Sequence, residues 1–106
     1  MNVIQVQTSS GSFYFSPKEI IRCNASNNYT WFYLTDKRKL LVAKTLGKYE
    51  ITLSANNFIR IHRACIINRL HIAKVGMYGN VWLTDGTRLT ISKRRRTAVY
   101  ETLLRA

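Results

Sequence analysis

Short runs of β-branched and aromatic residues, each cut off by a turn signal, leave this chain little to fold into except many short strands. The runs occupy residues 3–7, 13–15, 20–25, 29–35, 40–43, 58–63, 64–68, 72–75, 81–84 and 88–91. Between them stand Ser9-Ser10-Gly11, Ser16-Pro17-Lys18-Glu19, Ser26-Asn27-Asn28, Asp36-Lys37-Arg38-Lys39 and Asp85-Gly86. The last is the strongest hairpin signal, because Asp-Gly supplies the positive φ that tight turns need. Residues 58–63 alternate apolar and basic side chains, as a strand with one wet face does.

Two segments depart from the strand pattern. In 45–54, Leu46, Tyr49 and Leu53 recur at i, i+3 and i+7, with Thr45 placed to cap a short helix. Ser92 stands ready to cap a second helix over 93–104, on which Val99 and Leu103 share a face. Its first turn would be Lys93-Arg94-Arg95-Arg96, four cations set against the positive end of the helix dipole. Such local conflicts gather where side chains serve something outside the fold. Without repeat, low-complexity tract or linker, residues 1–106 read as one domain.

Charge then narrows the function. Seventeen Lys and Arg face five acids, for a formal net charge of +12. Solubility alone needs only roughly 2 to 8, and the surplus repels itself in the compact state. A polyanionic partner relieves it, with nucleic acid ahead of anionic lipid or acidic protein. Nine of the seventeen cluster in three runs: Arg60 and Arg63 with His62; Lys93 to Arg96; and Lys37, Arg38 and Lys39. Backbone amides opening the last helix, with cations around them, would suit a phosphate.

Catalysis is poorly served. Glu19, Asp36, Glu50, Asp85 and Glu101 are scattered and form no obvious acid–base pair. Cys23, His62, Cys65 and His71 match no recurrent zinc spacing, and Cys65 lies in an apolar run where a thiol is usually inert. The expectation is a non-enzyme with no cofactor and no metal. Two distant cysteines suit a reducing compartment, and neither a secretory leader nor a bilayer-length apolar run is visible. A cytoplasmic protein without membrane contact is expected.

The order of motifs resembles the LytTR family of bacterial DNA-binding domains, known as output modules of two-component response regulators. Residues 21–29 resemble the family's strand that ends in a Gly/Asn-Asn-Tyr loop, and Thr45-Leu46 resembles the opening of its short helix. Phe58-Ile59-Arg60-Ile61-His62-Arg63-Ala64-Cys65-Ile66-Ile67-Asn68 resembles its Phe-x-Arg-x-His-Arg-Ser-x-x-Val-Asn signature. Asp85-Gly86 with Leu89-Thr90-Ile91-Ser92-Lys93-Arg94 resembles the closing element. Ala64 stands for the usual serine, Thr90 for a frequent proline and Lys93 for a frequent arginine. Lys is a point charge where Arg would fork onto a base, so Arg94 is the alternative reader there.

The resemblance implies a mainly β, elongated, mostly antiparallel fold with one or two short helices. It implies sequence-specific binding of duplex promoter DNA by loops entering successive major grooves. By position, the DNA-facing residues would be Asn28, Tyr29, Arg63, Lys93 and Arg94, with Arg95 and Arg96 continuing the basic run. His62 belongs to the signature, but a packed, hydrogen-bonded histidine suits it equally well. Asn68 is expected to tie a turn. The family context adds direct repeats in the target, a dimer organised by DNA, and an upstream receiver or sensor domain that this chain lacks. Two other readings stay open: an RNA-binding β module stacking bases on Tyr29, Trp31, Phe32 and Tyr33, and a basic interaction domain.

Overall fold

A computed structural model describes residues 2–105. Among the described residues, ten strands and two α-helices follow one another. They are β1 (Ile4–Thr8), β2 (Gly11–Phe15), β3 (Ile20–Ser26), β4 (Tyr29–Leu34), β5 (Lys39–Val42), α1 (Leu46–Ala55), β6 (Phe58–His62), β7 (Cys65–Asn68), β8 (Ile72–Val75), β9 (Asn80–Leu83), β10 (Arg88–Thr90) and α2 (Arg96–Leu104). Every strand pairing is antiparallel. The extents of 41 × 28 × 24 Å make the molecule longer in one direction, as expected for an elongated fold.

The centre is a five-stranded sheet of order β5-β4-β3-β7-β6. Its middle is dry on both faces, because β7 buries all four of its residues. Ile66 joins a core on one face with Cys23, Phe32, Val42 and Phe58, closed by the β1–β2 hairpin and by Leu46, Tyr49 and Leu53 of α1. Cys65 and Ile67 join a second core on the other face with Ile21 and Ile61, closed by Val81 and Leu83 of β9, Ile91, and Val99 of α2. An apolar run such as 64–68 is what a doubly covered strand requires. Helix α1 carries its i, i+3, i+7 stripe inward, and Phe32 meets Tyr49 edge to face at 5.0 Å.

Three expectations need correction. The strand from 58 has no simple wet face. Alternation sends Phe58 into the first core and Ile59 and Ile61 toward the second, so both faces carry apolar side chains, and a bulge between Arg60 and His62 breaks the register beyond. The last helix starts at Arg96, not Lys93, and Ser92 makes no side-chain cap. Ser92 spends its N–H on the Ile61 carbonyl at 2.9 Å, and Lys93–Arg95 tighten into a 3₁₀ turn closed by the Arg95 N–H on the Ser92 carbonyl. Three of the four cations therefore precede the α-helix. Thr45 is extended ahead of α1, again without a side-chain cap.

Candidate nucleic-acid interface

Antiparallel register decides which loops share an end of the central sheet. Strand β3 climbs to the tip Ser26-Asn27-Asn28-Tyr29 and β4 descends from it. The tip turns at Asn27, whose φ of 56° lies in the left-handed region that asparagine tolerates. Strand β6 climbs beside them to the Arg63–Ala64 turn and β7 descends. The Ala25 N–H donates to the Ala64 carbonyl at 2.8 Å, so tip and turn lie side by side. The bond from Ser92 to the Ile61 carbonyl then brings Lys93 next to the same turn. Asn28 with Tyr29, Arg63, and Lys93 with Arg94 thus occupy neighbouring loops along one edge.

Their side chains differ in freedom. Asn28, Tyr29, Arg63, Lys93 and Arg94 are exposed, and Arg95 is half-buried. The His62 Nδ1 accepts the Ala64 N–H at 3.1 Å, which fixes the turn and leaves the ring proton of the neutral form on Nε2 as a donor. Arg96 faces inward. Its guanidinium lies against Gly79 and donates to the Ile91 carbonyl at 3.1 Å, fastening the edge from behind. Arg60 is likewise engaged: it donates to Glu50 on α1 and to the carbonyls of His62 and Arg63. It braces the turn that presents Arg63.

Sequence reasoning overlooked Lys44. Strand β5 ends at this same edge, where the buried Thr30 hydroxyl donates to the Lys44 carbonyl at 2.7 Å. Only the β4–β5 register puts that exposed cation beside Tyr29, and spacing along the chain carries no sign of it. The third basic run lies elsewhere. Lys37, Arg38 and Lys39 follow β4 to the opposite end of the sheet, and Arg38 pairs there with Asp36.

Three of the five acids, Glu19, Asp36 and Asp85, lie at that far end. The Arg38 backbone N–H, then its guanidinium, holds the Asp36 carboxyl below the usual carboxylate range. Asp85 is partly desolvated, which pushes its pKa up. Hydrogen bonds from Thr87 and the nearby Arg22 charge outweigh this and hold it low. The Thr35 N–H donates to the Glu19 carbonyl at 3.0 Å. The Thr84 N–H donates to the His71 carbonyl, and His71 Nε2 reaches the Lys18 carbonyl at 2.8 Å, so Glu19, Asp36 and Asp85 gather away from the basic edge. Acids and cations are mixed at that end, where Lys37, Arg38 and Lys39 also lie.

The thiols and the aromatics of β4 beyond Tyr29 suit neither nucleophilic chemistry nor base stacking. Burial pushes Cys23 well above an ordinary thiol and Cys65 up to about 11, so both stay protonated at neutral pH. They lie on opposite faces of the sheet, Cys23 beside Ile66 and Cys65 beside Asn24. Phe32 is buried, while Arg22 caps Tyr33 at 3.7 Å and Lys39 covers Trp31 at 4.7 Å. The protein's own cations thus occupy faces of Tyr33 and Trp31, and of the four aromatics of β4 only Tyr29 stands exposed and uncovered. Among the described residues, no helix is long and apolar enough to cross a membrane.

Comparison with known proteins gives the family and the fold. A family-wide sequence profile described as the LytTr DNA-binding domain matches residues 10–104. The chain belongs to that family. The sensory transduction protein LytR of Staphylococcus haemolyticus is 36% identical over 84 residues, covering 76% of this chain and 33% of that protein. The transcriptional regulatory protein LytR of Staphylococcus aureus N315 is 34% identical over 80 residues, covering 72% and 32%. This LytTr chain therefore spans about a third of the length of the curated relatives it matches. A solved LytTr DNA-binding domain of a putative methyl-accepting/DNA response regulator from Bacillus cereus superposes with a TM-score of 0.76. That match covers 98% of this chain and 97% of the other at 20% identity, and it shares the fold.

Proposed function

We propose that this LytTr domain reads duplex promoter DNA through the single edge built from the β3–β4 tip, the β6–β7 turn and the Lys93–Arg95 turn. Residues 1–106 act as one DNA-binding unit of a non-enzymatic transcriptional regulator in the cytoplasm. The observation that carries the reading is the pair of backbone bonds, Ala25 to Ala64 and Ser92 to Ile61, that aligns three loops whose exposed side chains are polar or cationic. Lys93, Arg95 and Lys44 neutralise phosphates and set register. Asn28, Arg63 and Arg94 reach base edges, where asparagine pairs adenine and arginine pairs guanine. Tyr29 packs beside Asn28, and His62 offers Nε2–H to a phosphate or base acceptor. Arg96 supports the edge from within, and no metal or cofactor takes part.

Two copies on direct repeats would form a dimer that only DNA organises, and an upstream receiver or sensor domain would supply the input. Stacking of single-stranded RNA is disfavoured because Arg22 and Lys39 already cover Tyr33 and Trp31.

Selection of a binding site from random duplexes, followed by titration across salt, tests the reading. With about five phosphates neutralised, log K falls against log salt with a slope of roughly −4.5. Arg63→Ala should weaken binding to the selected site more than to random duplex, whereas Arg95→Ala should weaken both alike. A flat salt response, or equal losses for the two variants on both duplexes, overturns the assignment.

A further inference from the structure

The β8–β9 hairpin ends in Gly76-Met77-Tyr78-Gly79, and its two central side chains lie open to solvent, Met77 at 77% and Tyr78 at 89% exposure. A tip that served only to reverse the chain would carry small or polar residues. This one is also held firmly. The Tyr100 hydroxyl donates to the Gly76 carbonyl at 2.7 Å and accepts the Gly79 N–H at 2.6 Å, so α2 clamps both shoulders of the loop. The Gly76 N–H donates to the Asn80 carbonyl at 2.7 Å. Gly79 has a φ of 91°, and a Cβ there would strike the Arg96 guanidinium. Clamping and close packing therefore fix the backbone of a loop whose two largest side chains contribute nothing to either core.

The position of the clamp gives it meaning. The Ile91 N–H donates to the Gly79 carbonyl at 2.7 Å, one residue before Ser92 bonds to Ile61. Lateral backbone bonds thus run in series from Ala25 to Ala64, from Ile61 to Ser92 and from Ile91 to Gly79. The far turn of the same three-stranded sheet, at Asp85-Gly86, lies with the acids at the other end, so the Met77–Tyr78 tip must lie toward the basic edge. At about 4.8 Å between neighbouring strands, the edge from β4 to the Gly79 segment measures on the order of 25 Å. That length corresponds to several base pairs of duplex.

We infer that Met77 and Tyr78 form a further DNA contact, an apolar tip that packs against the sugar–phosphate wall just beyond the groove entered by Lys93 and Arg94. The inference rests on the DNA-reading edge proposed above and extends it to a loop without charge. Apolar and aromatic side chains pack against sugars and the minor-groove wall without needing a charge. The contact therefore adds affinity without displacing counterions. Arg96 and Tyr100 are positioning residues for this tip.

The test uses the complete chain and a duplex recovered by site selection. The double variant Met77→Ala/Tyr78→Ala removes only exposed atoms and should keep its melting temperature. Its affinity should fall roughly fivefold to tenfold, the scale of one lost aromatic contact, while the salt slope stays that of the unaltered chain. Hydroxyl-radical footprints should lose protection at the end of the site beyond the Lys93 groove and nowhere else. Tyr100→Phe, which unmakes both clamp bonds yet keeps the ring, should give a smaller loss at the same end. If Arg63→Ala weakens binding and the double variant does not, or if protection is lost uniformly, the tip is no contact. If the unaltered chain binds no duplex, the DNA-reading edge fails first, and the two failures are told apart.

Discussion

Asn68 shows how much one side chain can hold. It is fully buried, donates from Nδ2 to the carbonyls of Pro17 and Ile20, and accepts the Leu70 N–H on Oδ1. It joins the entry of β3 to the exit of β7, which sets the register on which the opposite edge depends. Asn68→Ala strands three backbone groups and should cost about 2–4 kcal/mol, lowering Tm by roughly 10 °C or more. Asn68→Asp keeps the size but aims an acceptor at two carbonyls, and it should fare no better. Thermal melts followed by circular dichroism check this, and an unchanged Tm in both variants would refute the role. The sequence announced Asn68 as a turn-tying residue, but its partners lie 48 and 51 positions away and are visible only in the fold.

At the scale of elements, the β6–β7 hairpin carries the motif that was most legible in the sequence, and it also misled. Arg60, His62 and Arg63 read as one basic cluster, yet the bulge after Arg60 sends them to different tasks. Arg60 reaches Glu50 on α1 and closes on the His62 and Arg63 carbonyls, His62 holds the Ala64 amide, and only Arg63 is exposed. Arg60→Met should therefore weaken duplex binding through the turn it braces, with a stability loss of about 1–2 kcal/mol. Fluorescence anisotropy beside a urea melt separates the effects. Lost stability with unchanged affinity would confine Arg60 to packing. The run Lys93 to Arg96 was likewise uniform in sequence. It divides because a 3₁₀ turn and the start of α2 rotate Arg96 onto Gly79 while Lys93 and Arg94 stay exposed.

Over the whole molecule, charge separation sets how the protein answers salt. Cations crowd the edge that holds Lys44, Arg63 and Lys93, while at the other end Glu19, Asp36 and Asp85 stand among Lys37, Arg38 and Lys39 and offset their charge. Screening should relieve repulsion in the free chain and raise its Tm by a few degrees between about 50 and 200 mM salt. Over the same range duplex affinity should drop about 500-fold at the slope given above. Calorimetry and binding titrations in matched buffers would show the two opposite signs, and a Tm that falls with added salt would contradict an edge under self-repulsion.

By itself the sequence determined the alternation of short strands and turns, the apolar stripe of α1, the surplus of positive charge and the ordered motifs of a LytTr domain. These are local or compositional properties, fixed by side-chain type and by spacing within a few residues. Tertiary structure alone decided which cations share a surface. Strand register brought Lys44 to the edge, sent Lys37 to Lys39 to the far end, and turned Arg60 and Arg96 into braces. Hydrogen bonds between segments tens of residues apart made those choices, and no one-dimensional pattern records the partner of a backbone amide.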